Sequence, residues 1–136
     1  MNARFYPIAE KDFEALIKLF QEFAAFQKAP HKMVNTLQKM KEEKDFLQGF
    51  TIKDESGNII GYLTCFFAYY TWIGKSLYVD DIFVRPEFRG KGFGTYLLKK
   101  AIVFAKENKC HKIRWQVSSW NEPAIAFYKT MGAEID

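Results

Sequence analysis

The segment Arg89-Gly90-Lys91-Gly92-Phe93-Gly94 restricts this chain more than any other. It follows a strand-like run, Ser76 to Val84. It precedes a stretch with Leu97, Leu98, Ala101, Ile102 and Ala105 at helical spacing. Three glycines let the backbone come close to a bulky anion, and a helix N-terminus presents N–H groups that carry partial positive charge and have no helical partner. Arg89 and Lys91 add full charges. A turn of this kind between strand and helix predicts a cradle for a pyrophosphate. No GxxxxGK[ST] occurs, and the spacing here is GxGxG rather than GxGxxG, so the P-loop and the dinucleotide fingerprint are both excluded.

The remaining elements follow from periodicity. Ala3 to Ile8 reads as a short strand that Pro7 confines to an edge or a strand end. Asp12 is placed to cap a helix carrying Phe13, Leu16, Ile17, Phe20, Phe23 and Ala24 on one face, which Pro30 stops. Met33, Leu37 and Met40 predict a second helix, fading into the mixed-charge run 39–45, a solvated face. The strands Phe50 to Lys53 and Ile59 to Phe67 flank a turn at Asp54-Glu55-Ser56-Gly57-Asn58 and form a hairpin. Tyr69-Tyr70-Thr71-Trp72 is read as an aromatic loop and Lys112 to Val117 as another strand. Asn121 caps a last helix with Pro123 in its first turn, and Gly132 stands where a left-handed C-terminal residue belongs. The order is strand, two helices, three strands, helix, strand, helix: a mixed α/β fold in one domain spanning 1–136.

Composition removes other classes. With 136 residues, 49% hydrophobic and 26% charged, the chain can bury a core and is not disordered. The net charge of +4 suits a polyanionic small ligand; the basic residues gather at the glycine turn and at Lys99 and Lys100 instead of forming a nucleic-acid stripe. Cys65 and Cys110 lie far apart, and neither they nor His31 and His111 have the partners of a disulfide scaffold, metal site or catalytic triad. The start carries no signal-like apolar run, and the longest apolar stretch, 59–70, is too short for a bilayer. A cytoplasmic protein without membrane, metal or nucleic-acid partners is expected.

The pattern [RQ]xxGxG, here Arg89 to Gly94, resembles the acetyl-CoA pyrophosphate motif of the GNAT N-acetyltransferases. Trp72-Ile-Gly-Lys75, Leu77 to Val84, and the block Trp120-Asn-Glu-Pro-Ala-Ile-Ala-Phe-Tyr-Lys129 with Met131-Gly-Ala133 are similar to the diamine branch, the spermidine/spermine and thialysine acetyltransferases. The resemblance implies the GNAT fold, a mixed, mostly antiparallel sheet flanked by helices, with a shortened C-terminal strand region and a homodimer. It implies an acetyl-CoA-dependent N-acetyltransferase acting on a small primary amine, such as a diamine, polyamine or lysine-like molecule, by direct attack in a ternary complex. The alternatives are a protein lysine or N-terminal acetyltransferase and a non-catalytic CoA-binding module.

Carried over residue by residue, Arg89, Gly90, Lys91, Gly92, Phe93, Gly94 and Thr95 wrap the pyrophosphate. Ile82, Phe83 and Val84 pair their backbone with the pantetheine arm, while Asn121, Pro123 and Ala124 complete the cofactor contacts. Tyr128 matches the acid that protonates the leaving thiolate. Asp80 matches a family glutamate that deprotonates the amine through water, and Asp81 an aspartate near the substrate. Tyr70 and Trp72 belong to the acceptor side, as a lid or a dimer surface.

The chemistry requires such groups on its own terms. An alkylamine of pKa about 10.4 is neutral in only roughly 1 molecule in 2,500 at pH 7, and a thiolate leaves more readily when a proton donor is in place. Strand alternation predicts that Asp80 and Asp81 point to opposite faces. Gln27, Lys28 and Tyr70 stand where the polyamine enzymes of this branch use acidic residues or their neighbours. That favours a shorter amine, one carrying its own carboxylate among them, over a long polycation.

Overall fold

A computed structural model describes residues 3–116 and the helix 122–130, apart from the side chains of Phe127, Tyr128 and Thr130. Its sheet has five strands in the order β1 (Arg4–Pro7), β2 (Gln48–Lys53), β3 (Ile59–Tyr70), β4 (Gly74–Val84) and β5 (Lys112–Trp115). The first three pairings are antiparallel and β4–β5 is parallel. A parallel pair needs a crossover, which the helix α3 (Phe93–Glu107) supplies. The helices α1 (Phe13–Phe26) and α2 (Leu37–Glu42) lie between β1 and β2 in sequence, and α4 (Glu122–Thr130) follows β5.

Each face of the sheet has its own core. Ile52, Leu63, Cys65, Leu77, Val79 and Val84 pack with Leu97, Ala101 and Ala105 of α3. Tyr62, Ile59 and Phe83 pack on the other side with Phe13, Leu16 and Leu19 of α1 and Met40 of α2. The two lists interleave along β3 and β4, as the two-residue period of a strand requires. Pro7 ends an edge strand, as expected, since an edge tolerates the missing N–H.

Several sequence expectations need correction. Asp12 does occupy the N-cap of α1, but its carboxylate turns backward, accepting the Ala9 N–H at 2.9 Å and an ion pair from Lys53 at 2.7 Å. Burial beside a lysine on β2 outweighs the local cap. Met33 precedes the second helix, which starts after Thr36; the Thr36 hydroxyl accepts the Lys39 N–H at 3.2 Å. Tyr69 and Tyr70 are not loop residues, because pairing with Lys75 and Gly74 carries the hairpin out to Tyr70. Gly132, Asn121 and the end of the strand placed at 112–117 lie outside the described residues. No described helix is long and apolar enough to cross a membrane.

Candidate active site

One irregularity builds the site. Cys65 pairs with Val79 and Thr64 with Asp81, so Asp80 is an extra residue in β4, a β-bulge. Residues opposite each other in a pair share a face, so Asp81 joins Thr64 on the α1 side. Val79 and Ile82 both pack on the α3 side. Alternation from Val79 therefore turns Asp80 to the α1 side as well. The expectation of opposite faces is corrected: the bulge resets the alternation and puts two consecutive carboxylates side by side.

Burial pushes the Asp81 carboxyl up to about 7, and the neighbouring Asp80 charge adds to that. Desolvation raises Asp80 too. The charge of Asp80 thus bears on the proton of Asp81. Below them the Tyr62 and Thr64 hydroxyls are buried and have no hydrogen-bond partner among the described residues. Burial, followed by the charges of Asp81, Asp80 and Glu22, strongly disfavours ionisation of Tyr62.

Beyond the bulge the same face continues as Phe66 stacked on Tyr78, ring centroids 5.1 Å apart, and then Tyr70 beneath the Arg114 guanidinium at 4.6 Å. Sequence reading missed Tyr62, Thr64, Phe66, Tyr78 and Arg114. The even-numbered period from Tyr62 to Tyr70 was the available signal, but its partner residues on β4 are displaced by the bulge. Trp72 is 98% exposed in the hairpin turn, away from the pairing that aligns the others.

On the far side of the bulge β4 loses a neighbour. Its pairing with β5 ends at Val79 and Trp115, so along 80–84 the backbone edge turned away from β3 meets no strand among the described residues. An extended chain can add there by backbone hydrogen bonds. The strand then runs into the glycine turn. Gly90 and Gly92 have φ of 79° and 84°, a region open to glycine, and Gly92 is the N-cap of α3. A Cβ on Gly90 would meet nothing within 4 Å, so the space beside the turn is open. The first helical N–H groups, those of Phe93, Gly94 and Thr95, face it without helical acceptors.

Arg89 is anchored at the end of β4. Its Nε donates to the Val84 carbonyl at 2.8 Å, and its guanidinium lies 4.5 Å from the Phe26 ring centre and 5.6 Å from that of Phe83. It braces the turn against the end of β4 and occupies one acceptor of the edge expected to bind pantetheine. Lys91 extends over Phe88. The residues present fit a pyrophosphate with an extended arm: a glycine cradle at a helix N-terminus, continuous with a half-paired strand edge. Pro123 and Ala124 open α4, Tyr128 lies on that helix with its side chain outside the description, and Asn121 is not described.

A family model described as the Acetyltransferase (GNAT) family matches residues 8–133. The thialysine N-epsilon-acetyltransferase of Mus musculus is 29% identical over 149 residues, covering 98% of this chain and 85% of that protein. The Caenorhabditis elegans protein of the same name is 34% identical over 122 residues, covering 87% and 74%. The solved structure of aminoglycoside N-acetyltransferase AAC(6')-Iy in complex with CoA superposes with a TM-score of 0.82 at 18% identity, over 98% of this chain and 89% of that one, a likeness of fold.

Proposed function

Since this chain belongs to the GNAT acetyltransferase family and is an acetyl-CoA-dependent N-acetyltransferase, we propose that its acceptor is the primary amine of a small, lysine-like molecule, attacking directly in a ternary complex. One observation carries the reading: the β4 bulge brings Asp80 and Asp81 together on the open sheet face, beside the strand edge suited to the pantetheine arm. When bound, acetyl-CoA supplies the activated acyl group. Gly90, Lys91, Gly92, Phe93, Gly94 and Thr95 hold its pyrophosphate, braced by Arg89, and the backbone of Ile82, Phe83 and Val84 aligns its arm. Asn121, Pro123 and Ala124 complete that side.

The acceptor arrives as an ammonium ion. Asp80 takes its proton through water while Asp81 shares the charge; burial raises both carboxyls, Asp81 to about 7, toward the range in which such a pair exchanges protons near neutrality. The stacked Phe66 and Tyr78 rings offer a cation a π-lined approach to the pair, with Tyr70 bounding the acceptor side beyond them. Tyr128 gives its proton to the departing thiolate. Trp72 closes over the acceptor from the hairpin tip.

We take the working unit to be a homodimer in the cytoplasm, a reading supported by the family resemblance and by two free cysteines; light scattering on the purified protein checks the assembly. Initial rates measured against both acetyl-CoA and lysine test the mechanism. Intersecting double-reciprocal lines are expected for a ternary complex, and parallel lines would overturn direct attack. Tyr128→Phe is expected to lower turnover while leaving acetyl-CoA binding nearly unchanged.

A further inference from the structure

On the proposed placement of the pyrophosphate in the glycine turn rests a further role, for a residue outside that turn. The N–H of Arg85 donates to the Ile60 carbonyl at 2.9 Å. The preceding carbonyl, that of Val84, therefore faces away from β3, toward the half-paired edge. Arg89 donates its Nε to this carbonyl, which seats the guanidinium where the strand edge meets the turn. Its terminal nitrogens have no hydrogen-bond or ion-pair partner among the described residues. Desolvation lowers its pKa, and no carboxylate among those residues offsets the effect. A partly desolvated cation without a counter-ion, carrying a planar fork of donors, is suited to a phosphate anion.

An arginine has a long, rotamer-rich stem, and immobilising such a side chain on binding lowers affinity. Here the side chain is ordered in advance. The guanidinium lies over the ring of Phe26, the last residue of α1, 4.5 Å from its centre. The helix end is in turn tied to β4 and its exit: Phe23 stacks on Phe83 with ring centroids 5.3 Å apart, and Glu22 pairs with Arg85 at 3.3 Å. Phe20 and Phe23 pack against the core on the α1 side, whereas Phe26 is 40% exposed and belongs to neither core.

We propose that Phe26 is a positioning residue for the cofactor: its ring holds the Arg89 guanidinium in place for the pyrophosphate before acetyl-CoA arrives, which makes the end of α1 part of that site.

The test is calorimetric titration of acetyl-CoA into the wild type, Phe26→Leu, Phe26→Tyr, Arg89→Gln and the double variant carrying Phe26→Leu with Arg89→Gln. Phe26→Leu weakens acetyl-CoA binding about 3- to 10-fold, because one arginine must now be ordered on binding. Phe26→Tyr keeps the ring and binds within about twofold of the wild type. Arg89→Gln weakens binding about 10-fold or more, through loss of a charge-assisted contact. On that background Phe26→Leu has no further effect, since no guanidinium is left to place. A loss by the same factor in both backgrounds marks a merely structural Phe26 and overturns the proposal. So does a Phe26→Leu variant that binds as the wild type does while Arg89→Gln is impaired. Unchanged affinity in Arg89→Gln overturns instead the placement of the pyrophosphate beside Arg89, on which the proposal rests. Melting curves of each variant separate a folding defect from a change of affinity.

Discussion

Replacing Asp81 by Asn removes the carboxyl that burial and Asp80 hold near 7 instead of 3.8. A carboxyl whose folded pKa lies above its unfolded value destabilises the fold when ionised. Between the two values the unfolded chain has lost the proton and the native one retains it, so stability falls as pH rises through that window and levels off above the folded value. Three units correspond to a ceiling of about 4 kcal/mol, of which roughly 2.5 kcal/mol develops between pH 5 and pH 8. Asp81 retains some contact with solvent, and the penalty is shared with Asp80, so about 1–2 kcal/mol is expected. The Asn variant should therefore gain on the wild type by about 3–8 °C in Tm between pH 5 and pH 8. The assay is a set of paired melts at both pH values, the double difference cancelling the titrating groups that do not couple to Asp81. An equal difference at the two pH values, or a variant that loses ground at pH 8, would refute the reasoning.

Three further outcomes follow from particular contacts. The acid limb of kcat/KM should bend near pH 7 in the wild type, since the pair accepts a proton only when ionised; a bend that persists unmoved in Asp81→Asn contradicts the assignment. Thr64→Val replaces a buried hydroxyl that lacks a partner among the described residues by a methyl of similar shape, and chemical denaturation should show a gain of about 1 kcal/mol. Lys53→Met strands the Asp12 carboxylate, which is only 4% exposed, and should cost about 3 kcal/mol in the same assay.

The parts legible in the sequence were those governed by local rules. The glycine turn, the amphipathic α1 and α3, the hairpin around Asp54 and the edge strand ended by Pro7 all follow from spacing and backbone preference. What escaped was set by pairing. Nothing in Val79-Asp80-Asp81-Ile82 announces that one residue will be extra, because a bulge depends on which residues of β3 stand opposite. Once Asp80 is displaced, both carboxylates change from opposed to adjacent, and Thr64, Tyr62 and Tyr78 become their neighbours. Asp12 failed for a similar reason: a local reading assigns a cap, while Lys53, distant in sequence, takes its carboxylate; the bond from Arg89 back to Val84 was equally out of reach of a local reading.

The central claim is that a carboxylate pair on the bulged strand receives the proton of a small amine during acetyl transfer. It is tested most directly by thiol release from acetyl-CoA with lysine, ornithine and thialysine as acceptors and spermidine and a lysine peptide as comparators, in wild type and in Asp80→Asn with Asp81→Asn. Turnover of a short amino acid by the wild type, lost in the double variant while acetyl-CoA still binds, is the predicted result. Equal turnover in the double variant, or turnover confined to the peptide, would contradict it.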